Sequence, residues 1–164
     1  AYQAESFIKL YGIKAAQTAP PIKKMLDMGI TVGMGSDGTR VSSYNPWVGL
    51  YWLTTGKSIG GNKHMSDANI LDRTTALKLY TQGSAKLVNL HADRGMIKEG
   101  YLADFVLLSA NYFEVPEDEI TEIKDFAENK AAFPLPEEFN YFQTTYKIEY
   151  SSKKLSENNF RQLF

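Results

Sequence analysis

Apolar and polar positions alternate along this chain with periods that change from one stretch to the next. Between Ala4 and Tyr11 the apolar residues Phe7, Ile8 and Leu10 predict a short helix ended by Gly12. Pro20-Pro21 suit a first helical turn. The stripe Ile22, Met25, Leu26 and Met28, with Lys23, Lys24 and Asp27 outside it, predicts a second helix stopped at Gly29. The next run, Ile30 to Met34, is apolar, too short for a comfortable helix and rich in β-branched residues after Ile30. It reads as a buried strand. Gly35-Ser36-Asp37-Gly38 then turns the chain, and glycine permits a sharp turn there. Helix, short connection and strand make an αβ unit that presents a carboxylate just past the C-terminal end of the strand. In parallel α/β folds, that end is where ligands bind.

Thr39 to Pro46 is polar and reads as a loop on the same side as Asp37. Trp47 to Thr55 is aromatic and apolar, and predicts a helix. Gly56, Gly60 and Gly61 break the pattern, and 57–69 reads as a loop containing His64. Asp72 is placed to cap a helix on which Leu77, Tyr80, Thr81, Ser84 and Val88 share a face. The small residues Gly83, Ser84 and Ala85 would let that helix pack closely on a neighbour. Gly95 to Gly100 predicts a turn and Tyr101 to Leu108 a strand. Glu117 to Lys130 predicts a charged helix, broken by Pro134 and Pro136. The alternation Phe142, Thr144, Tyr146, Ile148, Tyr150 predicts one more strand, and the tail from Ser151 is polar. No internal repeat or low-complexity segment is visible.

Composition narrows the class. With 164 residues and 43% hydrophobic content the chain can bury a real core. A net charge of −1 gives no basic field for nucleic acid. No apolar run approaches the ~20 residues that span a bilayer. The first residues lack a basic segment followed by an apolar core, so no signal peptide is read there. Cysteine is absent, which excludes disulfides and thiolate metal sites and fits a reducing, cytoplasmic setting. The two histidines, His64 and His91, are too few for a self-contained His-rich metal site. The chain begins at Ala and is read as a processed product or a piece of something longer.

Each candidate also has a plainer reading. Asp-Gly is a common turn dipeptide and Asp a common cap, so Asp37 could serve the backbone alone. A lone loop histidine such as His64 is usually solvated, and His91 reads as a surface residue. Asp104 reads as a turn or ladder-end residue.

Three blocks, taken in order, resemble the amidohydrolase superfamily, in particular its formamide-deformylase-like branch. The first runs from Met28 to Asp37. The second is Thr74 to Thr81 with Ser84-Ala85. The third runs from Gly95 to Leu108. The resemblance covers roughly residues 2–124 and implies an α/β fold: the last strand and helices of a TIM-like (β/α) barrel plus part of a small β-sandwich. The domain division expected is 1–90 for the barrel portion, 91–150 for a partial sandwich and 151–164 for a polar tail. Ile30–Met34 would be the last barrel strand and Asp37 the catalytic, metal-associated carboxylate at its end. The block around Asp104 would be structural. Arg40, Ser42 and Asn45, on the following loop, could touch a small amide-like substrate, although a solvated loop is equally compatible with the pattern. The implied chemistry is hydrolysis of a non-peptide carbon–nitrogen bond by metal-activated water, with a divalent metal, zinc by expectation, whose remaining ligands lie outside this chain.

The pattern departs from the family in several places. The upstream His-x-His, the bridging Lys or Glu and two later histidines are not in this sequence, and His64 and His91 match none of those positions. A full barrel takes ~250 residues and eight strands, whereas a single barrel strand is legible here. After the third block the family's last strand and Gly-Lys turn are missing. The expectation is therefore a C-terminal hydrolase portion, inactive alone, which self-associates or docks on an upstream part of the same polypeptide. The alternatives are a non-catalytic truncated relative acting as an assembly or binding module, and an unrelated α/β ligand-binding domain, for which no Gly-rich phosphate fingerprint speaks.

Overall fold

The computed structural model describes residues 1–38, 42–102, 104, 106–125, 138–141 and 144–147. Helices come first: α1 (Ala4–Tyr11), α2 (Ile13–Thr18), α3 (Ile22–Asp27) and α4 (Pro46–Thr55). A 3₁₀ turn at Asp67–Asn69 precedes α5 (Arg73–Lys78), which continues through a π-helical turn, Leu79–Gly83, into α6 (Ser84–Leu87). A second 3₁₀ turn spans Glu117–Glu122, and an antiparallel hairpin pairs β1 (Glu138–Tyr141) with β2 (Thr144–Lys147).

The core is built around α4. Its sequence is apolar on almost every side, so only a buried position satisfies it. Trp47, Val48, Leu50, Trp52 and Leu53 are all buried. Its start is fixed by Asn45, whose side chain accepts a hydrogen bond from Trp47 N at 2.9 Å, followed by Pro46 in the first turn. Its end is fixed by Gly56, which adopts φ 69° and donates to Trp52 O at 2.9 Å. Around it gather Ile22 of α3, Met65, Ala76 of α5, Leu79, Tyr112 and Ile120. Leu53, Ala76 and Ile120 are fully sequestered. Burying a leucine of this kind contributes about 1.5–3 kcal/mol.

Polar side chains tie the outer elements to this core. Asn69, buried in the 3₁₀ turn, accepts from Lys23 N at 3.2 Å and donates to Pro20 O at 2.9 Å, so it caps α3 from outside. Arg73 donates to Tyr112 O at 2.6 Å and Val115 O at 2.7 Å, and its guanidinium lies 5.7 Å from the Tyr112 ring centre. Asp72 caps α5 through Thr75 N at 2.9 Å, and its hydrogen bonds to Thr75 hold its pKa below the ordinary value. Asp104 pairs with Arg94 at 3.0 Å.

Several expectations are corrected here. Ile30–Met34, expected as the last barrel strand, is extended and belongs to no strand ladder among the described residues. A barrel strand needs neighbouring strands on its edges, and this backbone instead bonds to a helix. In the block at 101–108, whose residues 103 and 105 lie outside the described residues, the described residues form one isolated bridge, Leu108 to Asp125. Of the helix expected over 117–130, the described residues form a 3₁₀ turn, Glu117–Glu122, and 126–130 lie outside them. Of the strand expected over 142–150, Thr144–Lys147 forms the second strand of a hairpin, and 142–143 and 148–150 lie outside the described residues. Arg40, residues 126–137 and the tail from Ser151 lie outside the described residues.

Candidate functional site

The segment that leads into the Asp37 turn is held by the helix that runs from α5 through the π-turn into α6. In the π-turn Leu79–Gly83 the backbone ladder is shifted by one residue, so the Leu79 carbonyl takes the Ser84 amide and keeps room for a second donor from outside the helix. It accepts from Met34 N at 3.0 Å. Met34 N also approaches Ser84 Oγ at 3.2 Å, and that hydroxyl lies 2.8 Å from Met34 O and 3.0 Å from Leu79 O. The hydroxyl can therefore accept from the Met34 amide and give its single proton to one of the two carbonyls, of which Met34 O is the nearer. A π-turn inside an α-helix commonly marks such a special contact.

Glycines allow this approach. A Cβ on Gly83 would overlap the Val32 carbonyl oxygen and sit 3.3 Å from Gly33 Cα. A Cβ on Gly33 would meet Leu87 Cδ1 at 2.6 Å and Ser84 Cα at 3.1 Å. Segment and helix thus touch backbone to backbone, which no larger residue at these positions would permit. Beside them the Tyr80 hydroxyl is buried without a hydrogen-bond partner among the described residues, and burial pushes its pKa up to about 12.

Three residues beyond Met34 stands Asp37, exposed, with φ 47°. This left-handed conformation is uncommon for a non-glycine residue but accessible to aspartate. The next residue, Gly38, bridges in parallel to Ser42 and packs under Tyr44, closing the loop that Asp37 begins. Ser42 is therefore on the same closed loop as Asp37. Asn45 is committed elsewhere: besides capping α4, its amide donates to Thr121 O at 3.3 Å. Arg40 lies outside the described residues.

The metal expected from the resemblance finds no complete site in this part. Among the described residues, no group of three or more His, Cys, Asp or Glu is placed to hold an ion, whereas a catalytic zinc takes about three protein ligands. His64, expected to be a solvated loop residue, is instead buried, at 5% exposure. Its Nε2 accepts from the Trp52 indole N–H at 3.0 Å, and its ring lies 19° from parallel with that indole. Indole only donates, so His64 carries its proton on Nδ1, which faces Asn62 O at 3.4 Å. His91 is exposed, in agreement with the surface reading.

Two features escaped the sequence reading. The small run Gly83-Ser84-Ala85 signalled close packing but not the π-turn or the hydroxyl clamp on Met34. Glu5 carried no signal at all. Its carboxylate accepts from Ser58 Oγ at 2.7 Å and Asn62 Nδ2 at 2.9 Å. Hydrogen bonds from Asn62 and then Ser58 lower its pKa from 4.5 to about 2.

A family model described as "Amidohydrolase family" matches residues 1–147. A 5-methylthioadenosine/S-adenosylhomocysteine deaminase of Thermococcus kodakarensis is 33% identical over 99 residues, covering 60% of this chain and 22% of that protein. The protein of the same name in Halothermothrix orenii is 34% identical over 111 residues, 68% of this chain and 24% of that protein. A putative amidohydrolase, YtcJ, of Bacillus subtilis is 34% identical over 101 residues, 60% of this chain and 19% of that protein. The chain spans about a fifth of the length of these curated relatives. No solved structure matches it.

Proposed function

The chain belongs to the amidohydrolase family, and from this we infer that it forms part of a hydrolase acting on a non-peptide carbon–nitrogen bond, with Asp37 as its proton-transfer carboxylate. The observation that carries this reading is the placement of Asp37: exposed, in a left-handed turn, on a segment whose backbone is fixed to a helix three residues earlier. An exposed carboxylate at a fixed position can accept a proton from water as the water oxygen attacks the carbon. It can then return that proton to the nitrogen as the carbon–nitrogen bond breaks. Water is consumed, and the nitrogen leaves as ammonia or an amine.

Relatives named as methylthioadenosine deaminases support an aminated heterocyclic carbon as the reacting centre, beside the amide-like bond that the sequence pattern predicts. A divalent metal belongs to the proposal at the level of the whole hydrolase. Asp37 would offer it one oxygen, with the other ligands outside the described residues. Ser42, and Arg40 on the same loop, stay proposed as substrate contacts. The second reading, a non-catalytic assembly or binding module, is favoured by one observation: Met28, Ile30, Leu87 and Val88 are large apolar side chains left exposed.

The test is ammonia release by the protein purified from its source, offered 5′-methylthioadenosine and a panel of small amides. Turnover of methylthioadenosine supports deamination, and turnover of amides alone supports the formamide-like alternative. No release from either class by correctly folded protein rejects the enzyme reading in favour of the module.

A further inference from the structure

We propose that Ser84, set just after the π-turn Leu79–Gly83, is a positioning residue that fixes the Asp37 carboxylate through the backbone of Met34. This inference rests on the role given to Asp37 above. Four polar atoms meet at one point: Met34 N, Met34 O, Leu79 O and Ser84 Oγ, all within 2.8–3.2 Å of a bonding partner. A regular α-helix would spend the Leu79 carbonyl on the amide of residue 83. The π-turn moves that bond to the Ser84 amide while the same carbonyl also accepts from Met34 N, and the serine hydroxyl sits between that carbonyl and both polar groups of Met34.

A serine in a helix usually returns its hydroxyl to a carbonyl of the preceding turn and serves only the helix. Ser84 does reach Leu79 O, but it also bonds across 50 residues of sequence to a segment that has no strand neighbour among the described residues. The bond that a strand ladder would have given to Met34 is supplied by this helix. Gly33 and Gly83 bring the two backbones together at that level, and the three residues from Met34 to Asp37 leave little slack between clamp and carboxylate. Ser84 touches neither substrate nor reacting atoms in this arrangement; it acts through the position of the turn.

The test compares Ser84→Ala, Ser84→Thr and Asp37→Asn in the protein purified as its complete gene product. Amide exchange at Met34 and the steady-state constants for ammonia release are the two readouts. The expected result for Ser84→Ala is Met34 exchange at least about tenfold faster, with kcat lowered about ten- to a hundredfold and KM nearly unchanged, because a misplaced group costs the chemical step rather than binding. Ser84→Thr, which keeps the hydroxyl, restores both. If Ser84→Ala does not fold, Ser84→Cys replaces it, with similar size and a weaker hydrogen bond. The proposal is overturned if the alanine variant matches the parent in Met34 exchange, or if it lowers kcat no more than threonine does while Asp37→Asn abolishes turnover. Should Asp37→Asn leave turnover intact, the catalytic reading of Asp37 fails, and the positioning role falls with it even if exchange at Met34 still reports a clamp.

Discussion

Gly83→Ala has two opposing effects, and the structure decides which prevails. Gly83 lies within a helix, with φ −63° and ψ −48°, so no left-handed strain protects it. Intrinsic propensity alone makes alanine better there by about 1 kcal/mol. Against this, the new Cβ would overlap the Val32 carbonyl oxygen and come within 3.2 Å of the Val32 carbonyl carbon. Both atoms are backbone, and that backbone is held at Met34 by two hydrogen-bond partners. No side chain can rotate away, so helix and segment must part. Overpacking of this kind costs about 1–3 kcal/mol, and separation would also weaken the bonds at Met34, each contributing about 1 kcal/mol. The net expectation is destabilisation by about 1–3 kcal/mol, read as a lower urea midpoint at unchanged slope. Amide exchange at Met34 should accelerate in the same variant. A Gly83→Ala protein about 1 kcal/mol more stable than the parent would show that the segment does not lie on this helix, and would refute the packing on which the Asp37 placement depends.

Other predictions follow from the same contacts. Trp52→Phe removes the only kind of hydrogen its indole can give and leaves His64 Nε2 buried without its donor, which should cost about 1–3 kcal/mol in chemical denaturation; a change below about 0.5 kcal/mol would contradict the tautomer assigned to His64. Glu5 has a folded-state pKa below its ordinary one, so its contribution is present above about pH 4.5 and lost as pH falls through about 2. Thermal midpoints of the parent and Glu5→Gln should therefore differ near neutral pH and converge across that window; parallel curves would mean the carboxylate is not bonded as described. The exposed Met28, Ile30, Leu87 and Val88 predict self-association of the isolated chain at micromolar concentration, and a clean monomer by sedimentation would count against it.

What the sequence could convey was mostly local. Asp72 as a cap, Gly12 as the end of α1, Pro20-Pro21 before α3 and the wholly apolar run of α4 act through neighbours a few residues away, and all appear as expected. The apolar run at Ile30–Met34 reads as a strand because its extended conformation is local information. Whether it enters a ladder depends on what lies beside it, and here that is a helix with a π-turn. His64 was missed for the same reason: a loop histidine has no periodicity to announce a tryptophan twelve residues earlier. Asn69, Arg73 and Glu5 bond to groups 39–57 residues away, and pattern along the chain carries nothing about such pairs. Of the candidate site, Asp37 and its turn were legible from the glycines around it, whereas the clamp that holds the turn was not.

The central claim is that Asp37 carries protons in a hydrolytic reaction, and its most direct test is kcat for ammonia release in Asp37→Asn. Asp27→Asn serves as the control, since it removes an equal charge from an exposed residue whose partner is Lys23. Loss of a proton-transfer carboxylate predicts a fall of about 10²–10⁴ in kcat for Asp37→Asn, with the control within about twofold of the parent. Full activity in Asp37→Asn would contradict the account and leave Asp37 as a turn residue.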